Sequence, residues 1–167
     1  MANDGNVTVR PIDFIRDEAP LKSFLVERDR MRLDHLEPAV QAGDCFAMVA
    51  EEDGLAIGWA VVHTNFREDQ DWSPPDEDTK RFQSGENAYL ENIEVAAGIR
   101  GKGVGTALLE AIEHEAKKRG KQRLWLHTSE NNVMAHKVFD RGGWTHETSV
   151  YPPWKPSSRT RVYTKEL

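Results

Sequence analysis

The stretch IRGKGVGTALL, residues 99 to 109, constrains the fold more than any other part of this 167-residue chain. It combines three glycines with two cations: Arg100, Gly101, Lys102, Gly103 and Gly105. Glycine destabilises a helix interior by about 1 kcal/mol relative to alanine. Yet the residues from Val104 to Arg119 carry the clearest helical pattern of the chain, with apolar side chains spaced along one stripe. The glycines must therefore meet a need other than helix formation.

The composition of this stretch is typical of an anion site between a strand and a helix. Ala88–Val95, just before it, has the alternation of a strand. The first backbone N–H groups of a helix have no intrahelical partners, and the helix dipole adds partial positive charge there. Glycines let a phosphate approach that backbone, and the cations Arg100 and Lys102 add charge-assisted contacts. We therefore expect a pyrophosphate cradle; a turn that only packs the helix tightly on the sheet is the alternative.

Two common phosphate-binding patterns do not fit the stretch. The Walker pattern places Ser or Thr after its Gly-Lys pair, whereas Lys102 is followed by Gly103. The dinucleotide fingerprint is G-x-G-x-x-G within a βαβ unit, whereas this chain has G-x-G-x-G and opens with a predicted hairpin. An ordinary nucleotide-phosphate enzyme is therefore disfavoured.

Hydrophobic periodicity predicts the other elements of what we expect to be a single domain, residues 1–167. The predicted strands are Val7–Arg10, Asp44–Glu51, Leu55–Asn65, Ala88–Val95, Arg123–Thr128, Trp144–Val150 and Thr160–Thr164. The predicted helices are Ala19–Gln41, divided in two near Arg30 or Pro38, then Val104–Arg119 and Asn132–Arg141. Glu52-Asp53-Gly54 is a strong hairpin signal between two of these strands.

Composition excludes several classes of protein. The net charge of −6 argues against a general nucleic-acid binder. No signal-peptide pattern and no apolar run of about 20 residues is present, so we expect a cytoplasmic protein without a membrane span. Cys45 is the one cysteine, and its apolar surroundings predict a buried, reduced side chain. The six histidines lack metal-ligand spacing, so no metal is expected, and we interpret all six as surface or hydrogen-bonded residues.

The glycine stretch and two blocks beside it resemble the GNAT superfamily of N-acetyltransferases. Arg100, Gly103 and Gly105 fit the family signature of Arg or Gln, two residues, Gly, any residue, and Gly or Ala. YLENIEV before the turn resembles the family's fourth strand, and residues 123–144 resemble the strand and helix that follow. Within that second block the family positions are matched by Asn132, Ala135, Gly143 and Trp144.

The resemblance implies a mixed α/β fold with a mostly antiparallel central sheet, splayed central strands and helices on both faces. The pantetheine arm of acetyl-CoA would lie between the splayed strands and pair with the backbones of Ile93 and Val95. The Val95 N–H would face the thioester oxygen and stabilise its developing charge. The cofactor-binding residues implied are Ile93, Val95, Arg100, Gly101, Lys102, Gly103, Val104, Gly105, Thr106, Asn132, Ala135 and Phe139.

Direct acetyl transfer to a primary amine needs a base, an oxyanion donor and a proton for the leaving thiolate. Glu91 is the first candidate for the base and Glu94 the second, acting through a water; a purely structural charge is the alternative for each. Many family members carry a Tyr four residues after the Ala, where this chain has Phe139. The general acid is therefore open between water, Tyr151 and another group, and departure of the thiolate without a proton donor is the remaining alternative.

The acceptor is predicted from charge. Arg67–Glu86 is rich in acids and is predicted to be a long loop that attracts a cationic amine, unless it is merely solvated. Tyr151-Pro152-Pro153-Trp154 is a candidate aromatic wall for the acceptor. We expect a small-molecule or peptide N-acetyltransferase; a non-catalytic acyl-CoA-binding module is the alternative, favoured by Phe139. The sequence leaves a homodimer open.

Overall fold

The computed structural model describes residues 6–65, 81–151 and 156–167. Within these ranges the strands are β1 (Thr8–Pro11), β2 (Cys45–Glu52), β3 (Leu55–His63), β4 (Asn87–Val95), β5 (Arg123–Ser129), β6 (Thr145–Val150) and β7 (Thr160–Glu166). The α-helices there are α1 (Phe14–Phe24), α2 (Glu27–Gln41), α3 (Val104–Lys118) and α4 (Val133–Arg141). The acidic stretch of the predicted loop and Pro152-Pro153-Trp154 lie outside the described residues.

The strands form one seven-stranded sheet in the order β1-β2-β3-β4-β5-β7-β6. β1 pairs antiparallel with β2, and β7 pairs antiparallel with both β5 and β6, whereas β4 pairs parallel with β5. The predicted mixed, mostly antiparallel sheet is confirmed. The parallel register runs from Asn87↔Arg123 to Tyr89↔Trp125, although β4 continues to Val95 and β5 to Ser129.

The chain divides into two compact units. The first unit comprises Met1–Val62 and Asn92–Glu113, and the second comprises His63–Glu91 and His114–Leu167. β3, β4 and α3 each contribute residues to both units. The assignment of residues 1–167 to a single domain stays a prediction.

The first unit buries an apolar cluster formed by α1, α2, β2 and β3. Its buried members are Leu21, Leu25, Leu33, Leu36, Cys45, Ala47, Val49, Ala56, Trp59 and Val61. Cys45 is fully buried in this cluster and forms no disulfide, as its apolar sequence context predicted. α1 begins at an effective cap, because the Asp13 side chain accepts hydrogen bonds from the N–H groups of Ile15 and Arg16 at 3.0 and 3.1 Å.

The helical break was predicted at the wrong residue. Leu25 and Val26 have extended backbone conformations, and α2 begins at Glu27, whereas Pro38 lies inside α2. Two factors favour a break at Leu25. First, the extended backbone of Leu25 buries its side chain, which is 1% exposed. Second, Glu27 and Asp29 in the first turn of α2 place negative charge at the positive end of the new helix. Pro38 is tolerated in the final turn of α2.

A buried ion pair fixes α1 against β1 and β2. Both Arg10 terminal nitrogens donate to the Asp17 carboxylate at 2.8 Å, and Arg10 Nε donates to Glu51 at 2.8 Å. Burial acts to raise the pKa of Asp17, which is 1% exposed. Hydrogen bonds from Arg10 and from the Asp13 backbone, together with nearby positive charge, outweigh that and lower it. The folded state therefore favours the charged carboxylate.

The hairpin between β2 and β3 is confirmed. Asp53 and Gly54 have φ values of 50° and 81°, the positive pair that a two-residue type I′ turn requires. Beyond the hairpin, the second unit has its own apolar cluster, formed by Phe82, Tyr89, Trp125, Val150 and Val162. In the part of the chain that the structure describes, no helix is long and apolar enough to cross a membrane.

Candidate functional site

The glycine stretch forms a tight turn between β4 and α3 in the first unit. A short 3₁₀ turn, Ala97–Ile99, leads from the strand into it. Gly101 and Gly103 have φ values of 84° and 81°, a left-handed conformation that side-chain-bearing residues rarely adopt. The first helical bond of α3 runs from the Ala107 N–H to the Gly103 carbonyl at 3.0 Å. Two of the glycines are therefore required by the turn itself.

Gly105 needs a different explanation, because its φ is not positive. A Cβ added there would meet no atom of the described chain within 4 Å. Neither backbone strain nor packing therefore requires glycine at this position, the second residue of α3. The N–H groups of Val104, Gly105 and Thr106 belong to the first helical turn, which has no intrahelical acceptors. An open, side-chain-free approach to these donors is what an incoming phosphate requires.

The side chain of Arg100, one of the two cations of the stretch, bonds to the preceding strand. Arg100 and Lys102 are both exposed. Arg100 Nε donates a hydrogen bond to the Val95 carbonyl at 3.1 Å. This bond attaches the Arg100 side chain to the end of β4. The Arg100 side chain therefore links the glycine turn to the strand residue on which the oxyanion prediction rests.

The end of β4 is held closely against β3. The Ala96 N–H donates to the Ile57 carbonyl at 2.8 Å. A Cβ on Gly58 would lie 3.1 Å from the Glu94 carbonyl oxygen and 3.2 Å from a methyl carbon of Leu108. A side chain at this position would require the Glu94 carbonyl and the Leu108 side chain to shift by a few tenths of an ångström. Gly58 therefore determines how closely the Glu94–Val95 backbone approaches the neighbouring strand.

Glu94, the second candidate base, shares its surroundings with another carboxyl group. Burial raises the pKa of Glu94, and the charge of Asp29 and a hydrogen bond with it raise that pKa further, while Arg100 and Arg28 oppose the rise. Asp29, in the first turn of α2, is 5% exposed. The surroundings of Glu94 therefore favour its protonated form more than water does.

Glu91, the first candidate base, lies in the second unit and contacts a histidine. The Nε2 atom of His63 is 2.8 Å from Glu91 Oε2. The His63 side chain is 2% exposed and that of Glu91 is 19% exposed. The carboxyl group is therefore partly accessible, while its partner is enclosed at the end of β3.

Aromatic rings surround this pair within the second unit. The ring of Tyr89 lies 6.4 Å from that of His63 and 4.5 Å from that of Trp125. The Tyr89 hydroxyl is 3.4 Å from Nδ1 of His127. The His63 ring thus has Tyr89 as an aromatic neighbour, and Tyr89 itself packs on Trp125.

Asn132 caps α4. Its Oδ1 atom accepts a hydrogen bond from the Ala135 N–H at 3.2 Å, and its own N–H donates to the Ser129 carbonyl at 2.9 Å. His136, one turn on, lies with Nε2 3.0 Å from the same Ser129 carbonyl. These contacts give Asn132 and Ala135 a structural role; their cofactor contacts stay predictions.

Phe139 packs in the core of the second unit. It is 4% exposed, and its ring centroid lies 5.5 Å from that of Trp144 and 5.4 Å from that of Tyr163. The phenyl ring is thus explained by packing, and its predicted contact with the cofactor stays a prediction. Tyr151, a candidate acid, is 62% exposed.

The structure thus separates the predicted site residues into two groups. The first unit holds the glycine turn with Ile93, Glu94 and Val95, and the second holds Glu91, Asn132, Ala135 and Phe139. Sequence reasoning missed two partners of the candidate bases, His63 and Asp29. The sequence signal for His63 was its place directly after residues 56–62, a run without a polar side chain apart from the indole of Trp59. Asp29 resembled one more charge on a solvated helix and carried no such signal.

Comparisons with known proteins agree with the family resemblance of the sequence. A model of the acetyltransferase (GNAT) family matches residues 12–144. Streptothricin acetyltransferase from Streptomyces lavendulae is 40% identical over 55 residues, which are 33% of this chain and 29% of that protein. The chain therefore matches less than a third of that relative's length.

Two solved structures have the same fold over almost the whole chain. One is described as a GNAT-family acetyltransferase from Desulfovibrio desulfuricans, with 19% identity, a TM-score of 0.71, and coverage of 96% of this chain and 99% of that one. The other is described as an acetyltransferase from Salmonella typhimurium with its cofactor acetyl-CoA. It has 21% identity, a TM-score of 0.66, and coverage of 96% and 94%.

Proposed function

Since this chain belongs to the acetyltransferase (GNAT) family, we propose that it transfers the acetyl group of acetyl-CoA to a primary amine. Acetyl-CoA is the cosubstrate. The amine belongs to a small molecule or a peptide and attacks the thioester directly while both substrates are bound.

The observation that carries the proposal is the glycine turn at the start of α3. Gly105 has neither a positive φ nor a neighbour that a Cβ would meet within 4 Å. Glycine there leaves the N–H groups of the first helical turn open to a bulky anion, and a pyrophosphate has the charge and size to use them. The exposed cations Arg100 and Lys102 supply charge beside the turn.

The reacting thioester is assigned to the end of β4. In the proposed complex the backbones of Ile93 and Val95 pair with the pantetheine amides, and the Val95 N–H donates to the carbonyl oxygen of the acetyl group. That N–H stabilises the negative charge that develops during attack, an effect worth about 3 kcal/mol in comparable sites. Two hydrogen bonds that hold this strand end support the assignment. Arg100 Nε donates to the Val95 carbonyl at 3.1 Å, and the Ala96 N–H donates to the Ile57 carbonyl at 2.8 Å.

The proposed reaction uses one protein base, Glu91, and releases coenzyme A as a thiolate. Glu91 accepts a proton from the ammonium group of the acceptor, directly or through a water. The neutral nitrogen then attacks the acetyl carbon, the carbon–sulfur bond breaks, and the electron pair leaves with the coenzyme A sulfur as thiolate. The nitrogen, positively charged after the attack, releases its second proton to water as the amide forms. That thiolate takes a proton from water or from another donor, because the phenyl ring of Phe139 has none to give.

The acceptor is proposed to be cationic before it loses its proton. The acids of residues 68–78 are suited to concentrate such an amine. The streptothricin acetyltransferase relative makes streptothricin a reasonable member of a test panel, although the match covers 29% of that protein.

An acetyl-CoA turnover assay with a panel of amines tests the proposal. The panel contains polyamines, aminoglycosides, streptothricin and basic peptides, each with a control form in which every primary amine is already acetylated. We expect release of free thiol together with an acetylated amine. Thiol release at the same rate with and without amine would contradict the transfer.

A second candidate function is a non-catalytic acyl-CoA-binding module. The buried phenyl ring of Phe139, 4% exposed, stands where many family members carry a phenol, and this observation favours it. Tight acetyl-CoA binding with no turnover on any amine of the panel would support this candidate over the first.

A further inference from the structure

We propose that His63 is a positioning residue for Glu91, holding its carboxylate in place for proton transfer from the acceptor amine. This inference rests on the proposed acetyl transfer with Glu91 as base. It starts from the 2.8 Å contact between His63 Nε2 and Glu91 Oε2.

Burial makes His63 suited to this role. Its side chain is 2% exposed, and it is the last residue of β3, in which the seven residues before it are buried. A polar side chain in such a place is stable only when its polar atoms are hydrogen-bonded. The imidazole cannot swing into solvent without breaking the packing at the end of β3. A carboxylate bound to it inherits that rigidity, whereas a free glutamate samples several rotamers.

The contact also defines the geometry of Glu91. With Nε2–H donating to Oε2, one carboxylate oxygen of Glu91 is fixed relative to the buried imidazole ring. The Glu91 side chain is 19% exposed, so it retains access that its buried partner lacks. General-base catalysis requires this combination of access and fixed orientation, because misplacement by about 1 Å costs up to about a hundredfold in rate.

Other groups of the second unit frame the pair. The Tyr89 ring lies 6.4 Å from His63, and the Tyr89 hydroxyl contacts His127 Nδ1 at 3.4 Å. Neither of these two contacts involves the Glu91 carboxylate. The proposed role of His63 is thus to orient the carboxylate, while Glu91 alone acts as the base.

Three variants test this role kinetically. His63→Leu removes the donor, whereas His63→Gln places an amide N–H near the position of Nε2. Val61→Ala is the matched control, because it removes packing from the buried core two residues away on the same strand and leaves the pair intact. We expect His63→Leu to lower kcat about tenfold to a hundredfold with an unchanged KM for acetyl-CoA. His63→Gln should recover most of that loss, and Val61→Ala should retain the wild-type kcat despite a lower melting temperature.

A spectroscopic measurement keeps the inference testable even if no amine is acetylated. The ¹⁵N signals of the His63 ring report which nitrogen carries the proton. We expect a protonated Nε2 in the wild type and a clear change of that signal in Glu91→Ala. Absence of all acetylation would contradict the proposed function. An unprotonated Nε2, or equal kcat losses in His63→Leu and Val61→Ala, would contradict the positioning role.

Discussion

Replacing Gly105 with valine should weaken coenzyme A binding while leaving the fold almost as stable as before. Gly105 has no positive φ, and a Cβ there would meet nothing within 4 Å, so a side chain can leave the native backbone at this position without strain. Valine has a slightly higher helix propensity than glycine. This gain offsets the side-chain freedom that valine loses on folding. The free energy of unfolding should therefore change by no more than about 0.5 kcal/mol. At this chain length that corresponds to about 2 °C or less in melting temperature.

The loss of affinity should be much larger. The added methyl groups would stand where the pyrophosphate approaches the first turn of α3. A hydrogen bond to a charged group contributes about 1.5–3 kcal/mol. Losing one such bond raises the Kd about tenfold to a hundredfold. Calorimetry with coenzyme A measures the Kd, and thermal unfolding measures the stability of the same preparation.

A shorter donor and a second glycine provide the controls. Acetyl-pantetheine lacks the pyrophosphate, so its kcat/KM should be the same in the wild type and in Gly105→Val. Gly98→Val places a Cβ in equally open space in the preceding turn and should leave coenzyme A affinity unchanged. The reasoning is refuted if Gly105→Val binds coenzyme A normally, or if both donors lose activity to the same extent.

Three further outcomes follow from the described contacts. Gly58→Ala should cost about 1–3 kcal/mol of stability in chemical denaturation, because its Cβ would lie 3.1 Å from the Glu94 carbonyl; an unchanged midpoint would mean that β3 and β4 adjust freely. Glu94→Gln should raise the melting temperature at pH 7, because a raised folded-state pKa disfavours the charged carboxylate, and the gain should vanish as the pH falls below about 4.3. Asp17→Asn should lower stability at pH 7, because the lowered pKa of Asp17 favours its charged form, and the difference should shrink as the pH falls below about 3.9; a pH-independent difference would contradict the ion-pair explanation.

The sequence predicted those elements that local rules determine. The Asp53-Gly54 pair identified the hairpin because few residues tolerate two successive positive φ values, here 50° and 81°. The apolar stripe from Val104 identified α3, which begins at that residue. The break between α1 and α2 was misplaced, because burial of Leu25 in the tertiary core, rather than the proline at position 38, decides where the first helix stops.

The candidate site was predictable only in part, for a physical reason. The glycine turn is a continuous stretch, so spacing along the chain reveals it. The partners of the two candidate bases come from distant strands and helices: His63 lies 28 residues from Glu91 along the chain. Such pairs are created by the sheet, and only the three-dimensional structure brings them within hydrogen-bond distance.

The most direct test of the acetyl-transfer proposal is a mass spectrum of the amine panel after incubation with acetyl-CoA and the enzyme. The proposal predicts a mono-acetylated product of at least one cationic amine, formed in proportion to the free thiol that is released. It also predicts that Glu91→Gln forms this product at least about a hundredfold more slowly, since a general base contributes a factor of that order. Thiol release without any acetylated amine, or a Glu91→Gln rate equal to that of the wild type, would contradict it.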